Sequence, residues 1–350
     1  MSAVDRSAPP VPLPLAGAQG HASAASTLLR RRSRWGLGEI TFWAAAAASL
    51  VVAPDYLLLL NEIAILALFA LSLDLILGYA GIVSLGHAAF FGFGAYAAGL
   101  FARDIYGEPV TGLLVAGAAS GLLGFATSFL VLRGSDLTRL MITLGLALML
   151  FEAANRFAGV TGGADGLLGI TMLPVLGLFE FDLWGQVAYA YSLGVLFVLF
   201  LVARRVVHSP FGLSLTAIRN NPLRAAALGM ASRRRLVAVY TLAAAYAGVA
   251  GALLAQTTQF VSLDVLALHR SADALLVLVL GGAGYLYGGL IGAAIFRVLQ
   301  EWLSGITPQY WQFWIGFILV AIVLFGRERL TQAPRRLFER LGAMVRRRTP

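Results

Sequence analysis

Nine apolar runs follow one another through this chain, and most are close to the length that crosses a bilayer. They lie near residues 39–53, 56–77, 82–102, 109–132, 138–157, 184–203, 236–256, 272–303 and 311–326. A hydrocarbon core about 30 Å thick takes about 20 residues of helix. Backbone groups inside it find no water, so each segment must satisfy its own hydrogen bonds, as a helix does. Only 12% of the residues are charged and 59% are hydrophobic, with mean hydropathy +0.82. Soluble domains carry about 25% charged residues. The fold class expected is an all-α polytopic membrane protein.

The charges between the runs set the orientation. Residues 204–235 hold seven arginines and no acid, whereas residues 158–183 hold Asp165, Glu180 and Asp182 and no basic group. Basic loops stay on the cytoplasmic side. The tail from Arg327 onward carries eight further arginines, so both ends of the chain are expected inside. Six crossings connect a cytoplasmic N-terminus to the 204–235 loop, and an even number must follow. Only three apolar runs remain, so 272–303, interrupted by Gly281-Gly282-Ala283-Gly284, is expected to cross twice. That makes about ten transmembrane helices. The division expected is a disordered basic N-terminus over 1–36, a membrane domain over 37–326 and a basic tail over 327–350. The run of arginines from Arg30 to Arg34 before the first apolar segment resembles a signal peptide. The long preceding segment and the spans that follow favour an uncleaved first helix.

A second glycine-rich interruption, Gly78-Tyr79-Ala80-Gly81 continuing to Ser84, Gly86 and His87, lies in the first half. If helices 2–5 and 7–10 are repeats, they start from opposite sides of the membrane. Paired interruptions in inverted halves point to a translocation path. Asp74, Ser84, Gly86, His87, Gly281, Gly282 and Gly284 are the candidate path residues; the alternative is that the glycines serve close helix packing. Asp74 and His87 flank the interruption and could pair with each other or with freed backbone. Glu62, Glu152, Asn155 and Arg297 are further polar residues in or near spans, and Arg297 has Glu301 four residues on as a potential partner.

Several chemistries are excluded by residue type. The chain has no lysine, so it has no Walker A loop and no Schiff-base site. It has no cysteine, hence no disulfide or thiolate metal site. His21, His87, His208 and His269 are scattered over a tail, a span and opposite sides, which does not make a metal centre. Ser84 near His87 lacks a third, orienting group. No enzyme activity and no cofactor is expected. The net charge of +9 is spread over membrane-flanking loops, which suits membrane lipid as a partner and not nucleic acid.

The loop 204–235 contains a short helix with both ends marked. Asn221 suits the N-cap, Pro222 the first helical position and Gly229 the left-handed residue after the last turn. A helix roughly 10 Å long is not stable alone in water and needs a partner surface, its own protein or another chain.

Gly78-Tyr79-Ala80-Gly81, Ser84-Leu85-Gly86-His87-Ala88-Ala89-Phe90, Thr161-Gly162-Gly163-Ala164-Asp165-Gly166-Leu167, the segment Ser209–Gly229 and Gly281-Gly282-Ala283-Gly284 occur in that order. Together they resemble the signature of branched-chain amino acid ABC transporter permeases. The resemblance implies an ABC importer permease with two inverted-topology halves in a bacterial inner membrane. It implies a second, related permease subunit, two cytoplasmic ATP-binding subunits and a periplasmic substrate-binding protein. It also implies that Thr216–Gly229 couples to the ATPase, with Arg219, Asn220, Asn221, Pro222, Arg224 and Gly229 as the candidate contacts. Where the family often has Asn, this chain has Asp74. The implied cargo is a branched-chain or other hydrophobic amino acid. Urea or amide import and small-carboxylate import are alternatives within the class. An ion-coupled secondary transporter using Asp74 or Glu152, and a membrane scaffold with a basic tail, are alternatives outside it.

Overall fold

The computed structural model describes residues 36–182 and 184–325. The expected disordered N-terminus and the basic tail therefore lie outside the described residues, apart from Gly36. Ten helices of 14 to 27 residues occupy the apolar runs: α1 (Leu37–Val52), α2 (Leu57–Asp74), α3 (Ala88–Asp104), α4 (Pro109–Val131), α5 (Asp136–Arg156), α7 (Gln186–Val207), α10 (Ser232–Thr258), α11 (Leu268–Gly281), α12 (Leu286–Ile306) and α13 (Trp311–Phe325). Three shorter helices, α6 (Ala158–Thr161), α8 (Pro210–Asn220) and α9 (Pro222–Ala227), fill the loops. Among the described residues no strand forms beyond two isolated bridges.

Five segments are each long and apolar enough to cross a membrane: Pro54–Tyr79, Pro109–Val131, Asp136–Arg156, Gln186–Val207 and Ser232–Thr258. The run 272–303 divides as its glycines require, into α11 and α12 with a bend of 110°. Gly282 (φ 103°) and Gly284 (φ 82°) make that turn in backbone conformations closed to most side chains. Not every one of the ten is a full-length span: α1, α3 and α11 measure only about 21–26 Å at 1.5 Å per residue. The shortening has a local cause in α3. Its apolar run begins at Ile82, but helix begins only at Ala88. The last turn of α2 widens to a π-helix over Leu75–Tyr79, and Gly81 (φ 73°) stops it. Residues 80–87 then form an irregular, mostly buried link to α3.

The order of elements in the first half recurs in the second. α2, an eight-residue break, α3, a four-residue link, α4, a four-residue link and α5 correspond to α10, a nine-residue break, α11, a four-residue link, α12, a four-residue link and α13. This corrects one expectation. The break after α2 corresponds to residues 259–267, not to the glycine turn 282–285, which corresponds to the α3–α4 link. The two breaks have different chemistry because each closes its preceding helix differently: Gly81 ends α2, and Gln259 (φ 52°) ends α10.

Helix α10 runs through the middle and touches α2, α3 and α4. Lipid tails are as apolar as leucine, so close van der Waals packing, not water exclusion, holds helices together. Small residues make that approach feasible. A Cβ on Gly94 of α3 would overlap the Gly248 backbone of α10, one on Gly248 would overlap Ser120 of α4, and Gly251 lies directly against the Phe91 carbonyl. Phe90 and Tyr240 fill the neighbouring layer edge to face, with ring centroids 5.6 Å apart. At the end opposite the arginine-rich loop, Leu167 and Val261 form an antiparallel bridge that fastens the 157–185 loop to the α10–α11 break.

Candidate functional site

The 208–231 loop holds two helices in succession, each started by a cap followed by proline. Ser209 Oγ accepts from the N–H groups of Phe211 and Gly212 at 3.2 and 3.5 Å, with Pro210 at the first position of α8. Asn221 Oδ1 accepts from Arg224 N–H at 2.9 Å, with Pro222 at the first position of α9. Gly229 takes the left-handed conformation (φ 75°), and Met230 N–H returns to the Ala225 carbonyl at 3.2 Å. The short helix therefore has the two ends read from its sequence. α8 was not singled out there, although Ser209-Pro210 is the same signal twelve residues upstream.

The two helices sit differently. α8 buries Gly212, Ser214, Leu215 and Ile218 against the membrane helices. α9 buries only Ala225, leaving Leu223 83% and Leu228 70% exposed. The last turn of α8 carries Arg219, which is exposed along its length but turns one end of its guanidinium back toward α2. Nη1 donates to the carbonyl of Gly78, in the π-helical turn of α2. The Arg219 methylenes lie over Gly81, where a Cβ would come within 2.9 Å of Cγ. Asp74, one turn back in α2, accepts from the N–H of Gly284 at 2.7 Å. A Cβ on Gly78 would overlap both the Asp74 carboxyl and that same N–H. One arginine and one carboxylate thus tie three segments at a point: the end of α2, the α11–α12 turn and the loop. Asp74 satisfies freed backbone, but of the other interruption, not its own.

His87 does not pair with Asp74. Its Nε2 lies 2.8 Å from Ser72 Oγ, which donates to the Phe69 carbonyl at 2.6 Å. With the serine proton used there, His87 donates from Nε2, and its buried Nδ1 has no partner among the described residues. The His87 ring stacks on Phe69 at 5.5 Å, 13° from parallel. Gly86 presses on the Thr143 carbonyl of α5, where no Cβ fits. Ala88 N–H, at the start of α3, donates to Ser271 Oγ, at the start of α11, at 2.9 Å. The second helices of the two halves therefore meet near their N-terminal ends. Ser84 is fully buried, and its hydroxyl has no partner among the described residues.

The candidate path residues thus fall into two groups. Asp74 and Gly284 meet at the loop, with Gly281 and Gly282 in the same turn. Ser84, Gly86 and His87 lie deeper. None of the seven lines the cavity of about 620 Å³ between α2, α11, α12 and α13. Glu62, Asp264, Arg270, Asp273 and Arg297 line it instead. Arg297 pairs with Glu62 across to α2 and donates to Gln300 at 2.8 Å, and not to Glu301 as its spacing allowed. Glu152 pairs with Arg156 on the exposed face of α5 at 3.4 Å, in keeping with a solvated end. Asp264, Arg270 and Asp273 were not singled out in the sequence; three charges within ten residues were the available signal. Among the described residues no cluster of histidine or acidic groups could hold a metal ion.

A helical membrane protein with repeated halves, broken helices meeting inside it and a capped loop tied to one break is built as the membrane-spanning part of a transporter. Residues 56–323 match the family described as branched-chain amino acid transport system / permease component. The chain belongs to that family; it is a transport permease subunit and not an enzyme. It is 28% identical over 290 residues to the high-affinity branched-chain amino acid transport system permease protein LivM of Escherichia coli (strain K12), covering 75% of this chain and 67% of that protein. It is 26% identical over 285 residues to the protein of the same name from Salmonella typhimurium (strain LT2), with the same coverages. No solved structure matches the chain significantly.

Proposed function

We propose that this chain is one of two membrane-spanning subunits of an ABC importer that carries branched-chain amino acids into a bacterial cell. It works with a second permease, two cytoplasmic ATP-binding subunits and a periplasmic binding protein. The arginine-rich loop and both chain ends face the cytoplasm of an inner-membrane protein; the seven arginines of 204–235, against the three acids of 158–183, support this orientation. The residues of 204–235 receive the motion of the ATP-binding subunits. α9 is the contact and α8 the transmitter.

The observation that carries the reading is the exposure of α9. A helix of six residues does not hold itself together in water. This one is capped at both ends, yet it turns Leu223 and Leu228 away from its own protein. Such a helix lays its apolar face in a groove of another chain. On this reading Arg224 and Asn220, both exposed, lie at the rim, while Arg219 reaches back to Gly78 and carries displacement to both interruptions. Detergent co-purification of the assembled importer tests this. The wild-type chain retains its ATP-binding subunits; a Leu223→Asp/Leu228→Asp chain remains folded and loses them. Undiminished recovery from the double variant would contradict the reading.

A further inference from the structure

The cavity between α2, α11, α12 and α13 lies apart from the loop junction and has unequal charges. Glu62 pairs with Arg297. Asp264 accepts from Arg270 Nε at 3.0 Å and Nη2 at 2.6 Å and lies 3.1 Å from His269 Nε2. Two carboxylates and two guanidiniums therefore answer each other. Asp273, half-buried on the cavity wall, makes no hydrogen bond or ion pair among the described residues, although Arg270 and His269 lie within electrostatic reach of it. It stands three residues after Arg270 on α11, so both project from one helix face. Arg270 Nη1 is not taken up by Asp264.

The remaining wall is apolar, from Ile65, Phe69, Phe91, Leu276 and Phe296. Phe69 is fixed from behind by the His87 ring on which it stacks. A cavity of about 620 Å³ lies within the range of small-molecule sites, roughly 300–1,000 Å³. A cationic group on an occupant would give Asp273 the direct partner that Arg270 and His269 do not supply, and a carboxylate without one is costly in a membrane domain. A bare amine leaves Arg270 Nη1 unused, and a bare carboxylate adds to the acidic excess. A group with both charges one carbon apart, carrying an apolar side chain, answers all three surfaces.

We propose that this cavity is an intramembrane subsite for an apolar α-amino acid: Asp273 takes the ammonium, Arg270 the carboxylate, and the phenylalanine-lined wall the side chain. The assignment rests on the import function proposed above and adds a site within this subunit, distinct from that of the binding protein. The chain has no native cysteine, so one introduced thiol reports on the cavity. Gln312 of α13 lines it without belonging to the proposed contacts. The assembled importer, purified without its binding protein, carries Gln312→Cys in this chain and is labelled with a charged methanethiosulfonate. Leucine slows labelling, whereas 4-methylpentanoate, which lacks the ammonium, and isoamylamine, which lacks the carboxylate, do not.

Asp273→Asn in the same background raises the leucine concentration needed for protection at least about tenfold, as loss of a charged hydrogen bond requires. Asp273→Glu restores most of it. Should the Asn variant fail to assemble, the ligand series on the Gln312→Cys chain alone still decides the matter. Equal protection by all three ligands, protection by none, or an Asn variant that behaves as wild type would overturn the subsite. Leucine uptake by proteoliposomes containing the wild-type importer and its binding protein separates the two readings. Uptake without protection removes only the subsite; no uptake removes the substrate reading itself.

Discussion

Helices α8 and α9 are neighbours in one loop, begin with the same cap-and-proline signal, and treat their apolar residues in opposite ways. α8 turns Leu215 and Ile218 into the protein, where they are 1% and 4% exposed. α9 turns Leu223 and Leu228 out. A cap determines where a helix starts; the surface available to it determines whether its apolar side is satisfied. α8 finds that surface in its own membrane domain and ends on Arg219, whose guanidinium bonds to Gly78. α9 is left with its apolar side unsatisfied, which is the expected state of a contact element whose partner is another chain.

Paired substitutions break or sharpen this contrast. Ile218→Asp puts a carboxylate into a buried face without a partner, a loss of about 3–5 kcal/mol. The expected outcome is a subunit that fails size-exclusion chromatography after mild heating. Leu223→Asp is the matched change on the exposed helix. It leaves the melting temperature of the isolated membrane subunit unchanged and weakens binding of the ATP-binding subunit by about 2 kcal/mol or more, measured by titration in detergent. The caps give the smallest and most diagnostic pair. Ser209→Ala and Asn221→Ala each cost about 1 kcal/mol of helix stability. The first is expected in the melting curve of the subunit, the second in its affinity for the ATP-binding subunit. Equal effects of the two on both measurements would mean that the helices are not distinct in role.

How much of this was legible beforehand depended on the range of the interaction. Asn221, Pro222 and Gly229 act within one helix, and their reading matches the structure. Gly282 and Gly284 act within one turn, and they divide the run 272–303 into two helices bent by 110°. Arg219 was read as one more loop charge available to the ATPase, because nothing local says that it folds back to Gly78, 141 residues away. Asp74 was read against His87 or the freed backbone of the first interruption, but its partner is the backbone of Gly284, 210 residues on. Arg297 was matched with Glu301 on its own helix, whereas α2 brings Glu62 closer. Inside a membrane domain a polar group must find some partner, and which one it finds is decided by helix adjacency, which sequence spacing does not express. The shortened start of α3 was missed for a related reason: Ile82 and Val83 are apolar enough to prolong a span, and only the positive φ of Gly81 says that the helix stops before them.

The central claim is that Arg219 carries motion from the loop to the two backbone interruptions, and one ratio tests it most directly: leucine transported per ATP hydrolysed, in proteoliposomes of the assembled importer with loaded binding protein. Arg219→Ala removes the bond to Gly78 and leaves the exposed face of α9 intact. The account predicts that the ATP-binding subunits stay bound and hydrolysis continues, while transport falls about tenfold, as expected for loss of one charge-assisted hydrogen bond. An unchanged ratio, with uptake and hydrolysis either both preserved or both reduced in step, would contradict it.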